Sequence, residues 1–418
     1  MSRTRRVCCG ALAAVAASAT LAACGSSSGK PELIWYVNPD GGGQADLAEA
    51  CSTDDYKITT QQLPQDASQQ RIQLARRLNA HDDAIDLMSL DPAFTAEFAN
   101  AGYLAEIPED LQAQLTDQSF QGAVDASTWD DQLVVAPFWS NTQVLWYRKS
   151  VAEKAGLDMS QPVTWDQIID AAVQTGTKVA VQANKYEGYV VWINALIAGA
   201  GGDIVSDVTA GADAKIDVDS DAGKAAATVI QKLTHSEAAP ADLSIAQEGQ
   251  SGATFAGSTG AFLTNWTYIY GADSETMGDD LGWARYPETV EGEDSRPPYG
   301  GIGIGISRYS SHVDLAMQAV ECLTSPESQG KYAVAEGNMP ASSAGYAYPE
   351  LQDKYPADLL QLFQDSVDAA APRPVTPYWS DISSAMQSTW HPASSVNDET
   401  PAKSAKFLDD VLHGRSLL

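Results

Sequence analysis

Between residues 32 and 92 the chain alternates short apolar runs with amphipathic ones, and this alternation restricts the fold more than any other feature. Glu32 to Val37 reads as a strand, followed by the loop Asn38-Pro39-Asp40-Gly41-Gly42-Gly43 and a helix over Gln44 to Cys51. Tyr56 to Leu63 is rich in β-branched residues and reads as a second strand. From Ser68 to His81, Ile72, Leu74, Ala75 and Leu78 make one apolar stripe with arginines opposite, the pattern of a surface helix. Ala84 to Leu90 reads as a buried strand, and Asp91-Pro92 opens the next helix. Strand–helix–strand–helix order of this kind predicts an α/β fold with a parallel sheet covered on both faces.

A second set of elements follows Asn141. Helices are predicted over Trp165 to Gly176, Glu187 to Gly199 and Ala222 to His235, with strands over Lys178 to Ala183 and Gly260 to Thr264. The alternation Gly300-Gly301-Ile302-Gly303-Ile304-Gly305-Ile306 reads as a strand that another backbone approaches closely. A helix carrying Cys322 and the turn Asn338-Met339-Pro340 come next, and the last seventy or so residues read as mostly helical. No internal repeat is present. At 418 residues the chain is long enough for two lobes with cores of their own.

The chain begins with Arg3, Arg5 and Arg6, a short Ala-rich apolar run over residues 11–23, and Leu21-Ala22-Ala23-Cys24 followed by Gly25 and three serines. A basic start, a short apolar stretch and small residues before a cleavage point describe a secretory signal over residues 1–23. Cysteine as the first residue after that point matches the bacterial lipoprotein pattern, so Cys24 is the expected lipidation site and residues 24–31 the tether. The alternative is an ordinary signal with an accidental cysteine. The expected location is extracytoplasmic, on the outer face of the cell membrane, with the lipid as the sole membrane contact. Cys8 and Cys9 leave with the signal, so Cys51 and Cys322 remain as an even pair in an oxidising compartment. Each lies on an apolar helical face, and we expect a disulfide between them, against the alternative of two buried thiols. That bond returns a segment beyond residue 300 to the first lobe. The N-terminal lobe is then 32–140 plus 299–341, and the C-terminal lobe 141–298 plus 342–418.

The formal net charge is −30, and loss of the signal, with three arginines and no acid, makes it more negative. Such a surface repels nucleic acid and anionic lipid. It suits a monomer.

In open α/β sheets ligands bind beyond the carboxyl ends of the strands. Asn38 and Asp40 follow the first strand, Asp91 follows the third, and Asn265 and Trp266 follow a strand of the second lobe. Singly, each is an ordinary turn former, helix cap or core residue. Together they offer acceptors, an amide and an aromatic face, which suits a neutral polyhydroxylated ligand. Trp and Tyr number 10 and 16 against 8 Phe, a weak bias in the same direction. Catalytic and cofactor patterns are lacking. The five histidines show no metal-ligand spacing, and Asp217, Asp219 and Asp221 fail the calcium-loop pattern at the glycine and at Thr228. There is no P-loop and no GxSxG elbow. We therefore expect no metal, no cofactor and no catalysis. The enzyme alternative is a lipid-anchored glycoside hydrolase using Asp40, Asp91 and Glu248 as its carboxylates. The pattern lacks the eight similar units of a (β/α)₈ barrel.

The stretches Gln70-Arg71-Ile72-Gln73-Leu74-Ala75-Arg76-Arg77-Leu78 and Leu90-Asp91, followed by Thr95-Ala96-Glu97-Phe98-Ala99, carry a resemblance. So do Asn141-Thr142-Gln143 with Leu145-Trp146-Tyr147-Arg148, Val181-Gln182-Ala183-Asn184, Glu187-Gly188 with Val190-Val191-Trp192, and Arg373-Pro374 with Thr376-Pro377. The sequence resembles the extracytoplasmic sugar-binding lipoproteins of ABC importers, nearest the trehalose-binding branch of mycobacteria and corynebacteria. The resemblance implies a periplasmic-binding-protein-like fold, two α/β lobes joined by three hinge crossings with a ligand cleft between them. It implies capture of a disaccharide, trehalose first, for delivery to an ABC permease, with maltose or maltodextrin as the alternative. It also implies Asp91 and Asn141 as acceptor and amide near one sugar ring and Glu248 near the other, with Trp266 stacking and Arg373 donating. Asn38, Asp40 and the backbone around Gly301 are further contacts on the same ground. Glu248 also suits the first turn of a helix, and Trp266 a core, whereas Arg373 sits between two prolines and belongs to no helix interior. The segment between Trp266 and Tyr299 is shorter than in the mycobacterial relatives, which alters the outer pocket wall.

Overall fold

The computed structural model describes residues 29–418. The expected signal, the expected lipidation site Cys24 and the expected tether up to residue 28 lie outside the described residues. Twelve strands are present among them: β1 (Glu32–Val37), β2 (Lys57–Gln62), β3 (Leu87–Leu90), the hairpin of β4 (Thr128–Trp129) and β5 (Gln132–Leu133), β6 (Ala136–Arg148), β7 (Lys178–Ala180), the pair β8 (Val205–Ser206) and β9 (Lys215–Ile216), β10 (Gly260–Trp266), β11 (Leu281–Ala284) and β12 (Tyr299–Ile306). Eight of them join in one sheet, seven in the order β2-β1-β3-β12-β6-β10-β7 and β11 pairing with β6 off that order.

The parallel sheet expected from the early alternation exists in β2, β1 and β3, which run parallel. β12 then enters antiparallel to β3, so the sheet is mixed. The sequence reading missed β6, which holds the assembly together. Its first half pairs with β12 and its second half lies between β10 and β11. Pro137 and the polar run Asn141-Thr142-Gln143 interrupt its apolar pattern, yet its residues from Ser140 to Tyr147 are all buried. β7 ends at Ala180, three residues before its predicted end, and β10 continues through Asn265 and Trp266, so these two finish the strand instead of following it.

One apolar cluster spans both sheet halves, joining Met88 and Leu90 to Leu145 and Phe262, and further clusters fill each half separately. Trp35, Phe138, Ile304 and Tyr332 sit in one cluster, and Val144, Trp146, Leu263 and Phe363 in another. The helix Glu187–Ala198 is buried from Glu187 through Ile197, the burial that its almost continuous apolar sequence demands. Between the halves three passes of chain lie side by side. Trp139 bridges to Pro340, Asn141 pairs with Gly300 across β6 and β12, and Pro298 bridges to Ala371. Cys51, which caps the helix Gly43–Ala50, is bonded to Cys322 on the helix Val313–Leu323, with the Cα atoms 5.7 Å apart. This is the expected disulfide, and it closes a span of 271 residues. Among the described residues no helix is long and apolar enough to cross a membrane.

Candidate functional site

The three passes border a cavity of about 420 Å³. Seven of the eight residues singled out from the sequence line it: Asn38, Asp91, Asn141, Glu248, Trp266, Gly301 and Arg373. Asp40 does not. Its carboxylate accepts from the backbone N–H of Gly42 at 3.0 Å and of Gln44 at 2.9 Å, and from the Gln44 amide at 3.0 Å. It shapes the turn that starts the first helix, the ordinary role of an aspartate in an Asn-Pro-Asp-Gly sequence.

Four helix N-termini converge on the cavity, and each carries a carboxylate. Asp66 caps the helix Ala67–Asn79 by accepting from the Gln69 N–H at 2.9 Å, and Asp91 caps Pro92–Asn100 through the Ala93 N–H at 2.9 Å. Glu187 and Glu248 are the first residues of the helices Glu187–Ala198 and Glu248–Ala256. The positive end of each helix dipole stabilises the acid placed there. Those ends are therefore already answered by carboxylates, and the cavity presents acceptors in place of an anion site.

Among the described residues, Arg373 is the one cation on the cavity wall. It leaves the helix Ala357–Asp368 well behind, is 6% exposed, and donates to Asp91 Oδ1 and Glu187 Oε1, each at 2.8 Å. Burial opposes its charge, but Asp91 and Glu187 together more than offset that, so the guanidinium is held charged. Glu187 also accepts from the Trp379 indole N–H at 2.8 Å and from the Ser383 hydroxyl. The arginine is thus first a strut between two acids. Asp91 retains a second oxygen for which no protein donor is found.

Gly300 and Gly301 make the floor. A Cβ at Gly300 would stand 2.7 Å from the Trp266 indole, so the ring abuts the bare backbone there. Gly301 has φ +134°, a region that side chains avoid, and a Cβ there would meet the Trp139 carbonyl oxygen at 2.3 Å. Asn141 Oδ1 accepts from the Thr267 hydroxyl at 2.8 Å and its amide donates to Asn338 Oδ1 at 3.1 Å, which fixes its orientation. Two buried polar atoms on residues of the wall lack any protein partner, Asn38 Oδ1 and Trp139 Nε1. Burial pushes the Glu248 carboxyl above the usual carboxylate range, and the neighbouring Asp66 adds to the rise. Wall residues that the sequence reading did not assign to the site include Asp66, Trp139, Tyr186, Glu187, Tyr268 and Asn338. An acid placed at a predicted helix start was the available signal for Asp66 and Glu187. Among the described residues no group of three or more His, Cys, Asp or Glu is arranged to hold a metal ion.

The chain matches the bacterial extracellular solute-binding protein family over residues 44–330. A probable ABC transporter-binding protein of Deinococcus radiodurans is 24% identical over 334 residues, 75% of this chain and 76% of that one. Among solved structures, the maltose-bound MalE3 of T. maritima superposes with a TM-score of 0.81 at 22% identity, covering 92% of this chain and 100% of that one. The GacH receptor of Streptomyces glaucescens gives 0.78 at 19% identity, with 92% and 99% covered. The cyclic alpha-maltosyl-1,6-maltose binding protein of Arthrobacter globiformis gives 0.71 at 21% identity, with 92% and 100% covered. At these identities the structural likeness is one of fold.

Proposed function

The chain belongs to the bacterial extracellular solute-binding protein family, and from that premise we propose that it captures a disaccharide, trehalose first, and delivers it unaltered to the permease of an ABC importer. The observation that carries this reading is the cavity between the two sheet halves, whose wall combines an indole set against bare glycine backbone with fixed amides and carboxylates. An aromatic face covers the C–H side of a sugar ring, and carboxylate and amide oxygens accept from its hydroxyls. A cavity of about 420 Å³ falls in the usual range for small-molecule sites. Ligand touching both sheet halves favours a closed arrangement, the form that a permease would recognise. Trehalose leads because of the sequence resemblance to the LpqY-type lipoproteins of mycobacteria and corynebacteria. Lipidation at Cys24 keeps this monomeric receptor at the outer face of the membrane.

A second reading, a maltose or maltodextrin receptor, is favoured by the fold likeness to the maltose-bound T. maritima protein and to the Arthrobacter globiformis one. A thermal-shift and calorimetric series with trehalose, maltose, sucrose and glucose separates the two. Trehalose is expected to give the largest shift. A larger shift with maltose transfers the function to the second reading, and no shift with any of the four removes both.

A further inference from the structure

Trp139 stands in the cavity wall with its single polar side-chain atom unspent. The residue lies on β6, paired with Ile302 of β12 and bridged to Pro340, among the three passes between the sheet halves. Its ring stacks on that of Tyr332, with centroids 6.3 Å apart and planes inclined by 30°. Tyr332 is itself buried and packs against Phe138 with centroids 4.9 Å apart, so the indole rests on a fixed bed. An indole N–H can only donate, and it points outward in the plane of the ring. Tyr332 covers the face of the ring and takes no hydrogen bond from that edge. Asn338 Oδ1, an acceptor on the same wall, is occupied by the Asn141 amide at 3.1 Å.

Among the described residues, one other buried side-chain atom of the wall has no protein partner, Asn38 Oδ1. It is an acceptor, the complement of the indole N–H. The Asn38 backbone carbonyl accepts from the Gln44 amide at 2.9 Å, which ties its loop to the first helix. That loop and Trp139 flank one ring, because a Cβ at Gly43 would stand 3.0 Å from Tyr332, whose face Trp139 covers. An unspent donor and an unspent acceptor therefore lie on one side of the cavity. A sugar hydroxyl answers both, since it accepts one hydrogen bond while donating another. An ether oxygen or a fluorine only accepts, and an ammonium only donates.

Taking the cavity as the disaccharide site proposed above, we infer that Trp139 is a specificity-determining contact whose N–H, together with Asn38 Oδ1, selects one hydroxyl of the ligand. The hydroxyl must be free, because an ether, a fluorine or an ammonium in its place leaves one of the two protein groups unanswered. A buried polar group left unpaired lowers affinity by roughly tenfold. The flat face of Trp266 tolerates any sugar ring, whereas a single fixed N–H distinguishes one position on that ring from the others.

The test is calorimetric titration of the purified protein and of Trp139→Phe with trehalose and its 2-, 3-, 4- and 6-deoxy and deoxyfluoro derivatives. Phenylalanine keeps a ring on Tyr332 and removes the N–H, and thermal unfolding checks that the variant is folded. In the parent, one deoxy derivative is expected to bind about tenfold more weakly than trehalose, and fluorine at that position should not restore the loss. In Trp139→Phe, trehalose should weaken by about tenfold while that same deoxy derivative changes little, so the two losses do not add. Losses that add, or a variant that binds trehalose as the parent does, overturn the inference and leave the disaccharide reading intact. Full rescue by fluorine overturns the share given to Asn38. Failure of the parent to bind trehalose overturns the trehalose reading and this inference with it.

Discussion

Arg373 joins acids that reach it from distant parts of the chain, Asp91 at the end of β3 and Glu187 at the head of a buried helix. Removing one member of a buried ionic group strands the others, at a cost of about 3–5 kcal/mol. Arg373→Ala is therefore expected to lose stability on that scale as well as ligand affinity, measurable by urea unfolding beside calorimetry. Asp91→Asn should keep most of the stability and lose affinity. An Arg373→Ala variant as stable as the parent would show that the strut carries nothing. Glu248 titrates oppositely to a salt-bridged acid. Its folded-state value is raised by burial, so the folded chain holds that proton to higher pH than the unfolded one. Its contribution favours folding below the ordinary carboxylate value and fades as pH rises through the raised one. Sugar hydroxyls donate to the ionised form, so affinity should increase with pH across that window, and Glu248→Gln should flatten the profile. At this scale Asn38, Asp91 and Trp266 were singled out by their place near strand ends, and Asn141 and Arg373 only by the resemblance; all five line the cavity. Asp40 misled because the same residue type also builds turns, and the sequence alone does not say which lone pairs the backbone has taken.

β12 carries two glycines with different duties. Gly301→Ala sets a Cβ against the Trp139 carbonyl at an unfavourable φ, and a loss of about 2 kcal/mol is expected from strain and ladder displacement. Gly300→Ala displaces only the Trp266 ring, so it should weaken sugar binding more than it weakens the fold. Unfolding midpoints and titrations on the two variants check this contrast. The disulfide acts on a longer loop. Cross-linking a span of 271 residues restricts the unfolded chain, and replacing both cysteines by serine should cost roughly 3–5 kcal/mol in denaturant unfolding. Most elements were readable from periodicity: β1, β2, β3 and the glycine–isoleucine strand, together with the helices around residues 165–234. β6 was not, because both its faces are covered and its centre is polar. Asn141, Thr142 and Gln143 are buried there with side-chain and ladder partners supplied by remote segments. Local pattern carries no record of such partners.

Across the whole molecule, the convergence of four helix N-termini on one cavity is a property of topology, which is why Asp91 and Glu248 were expected there and Asp66 was not. Ligand held by both sheet halves stabilises the folded form by mass action, about 2.7 kcal/mol at a hundredfold excess over Kd. The same ligand should lower the radius of gyration in solution scattering. A sugar that raises the melting temperature and leaves the scattering curve unchanged would dissociate binding from closure.

β6 gives its first half to one half of the sheet and its second half to the other. A single ribbon of backbone is therefore the frontier of both territories. Cutting the gene on either side of it would leave one fragment with a surplus edge and the other with a missing one, so neither half should survive as an independent protein. The two halves are bound to be inherited, and to evolve, as one piece.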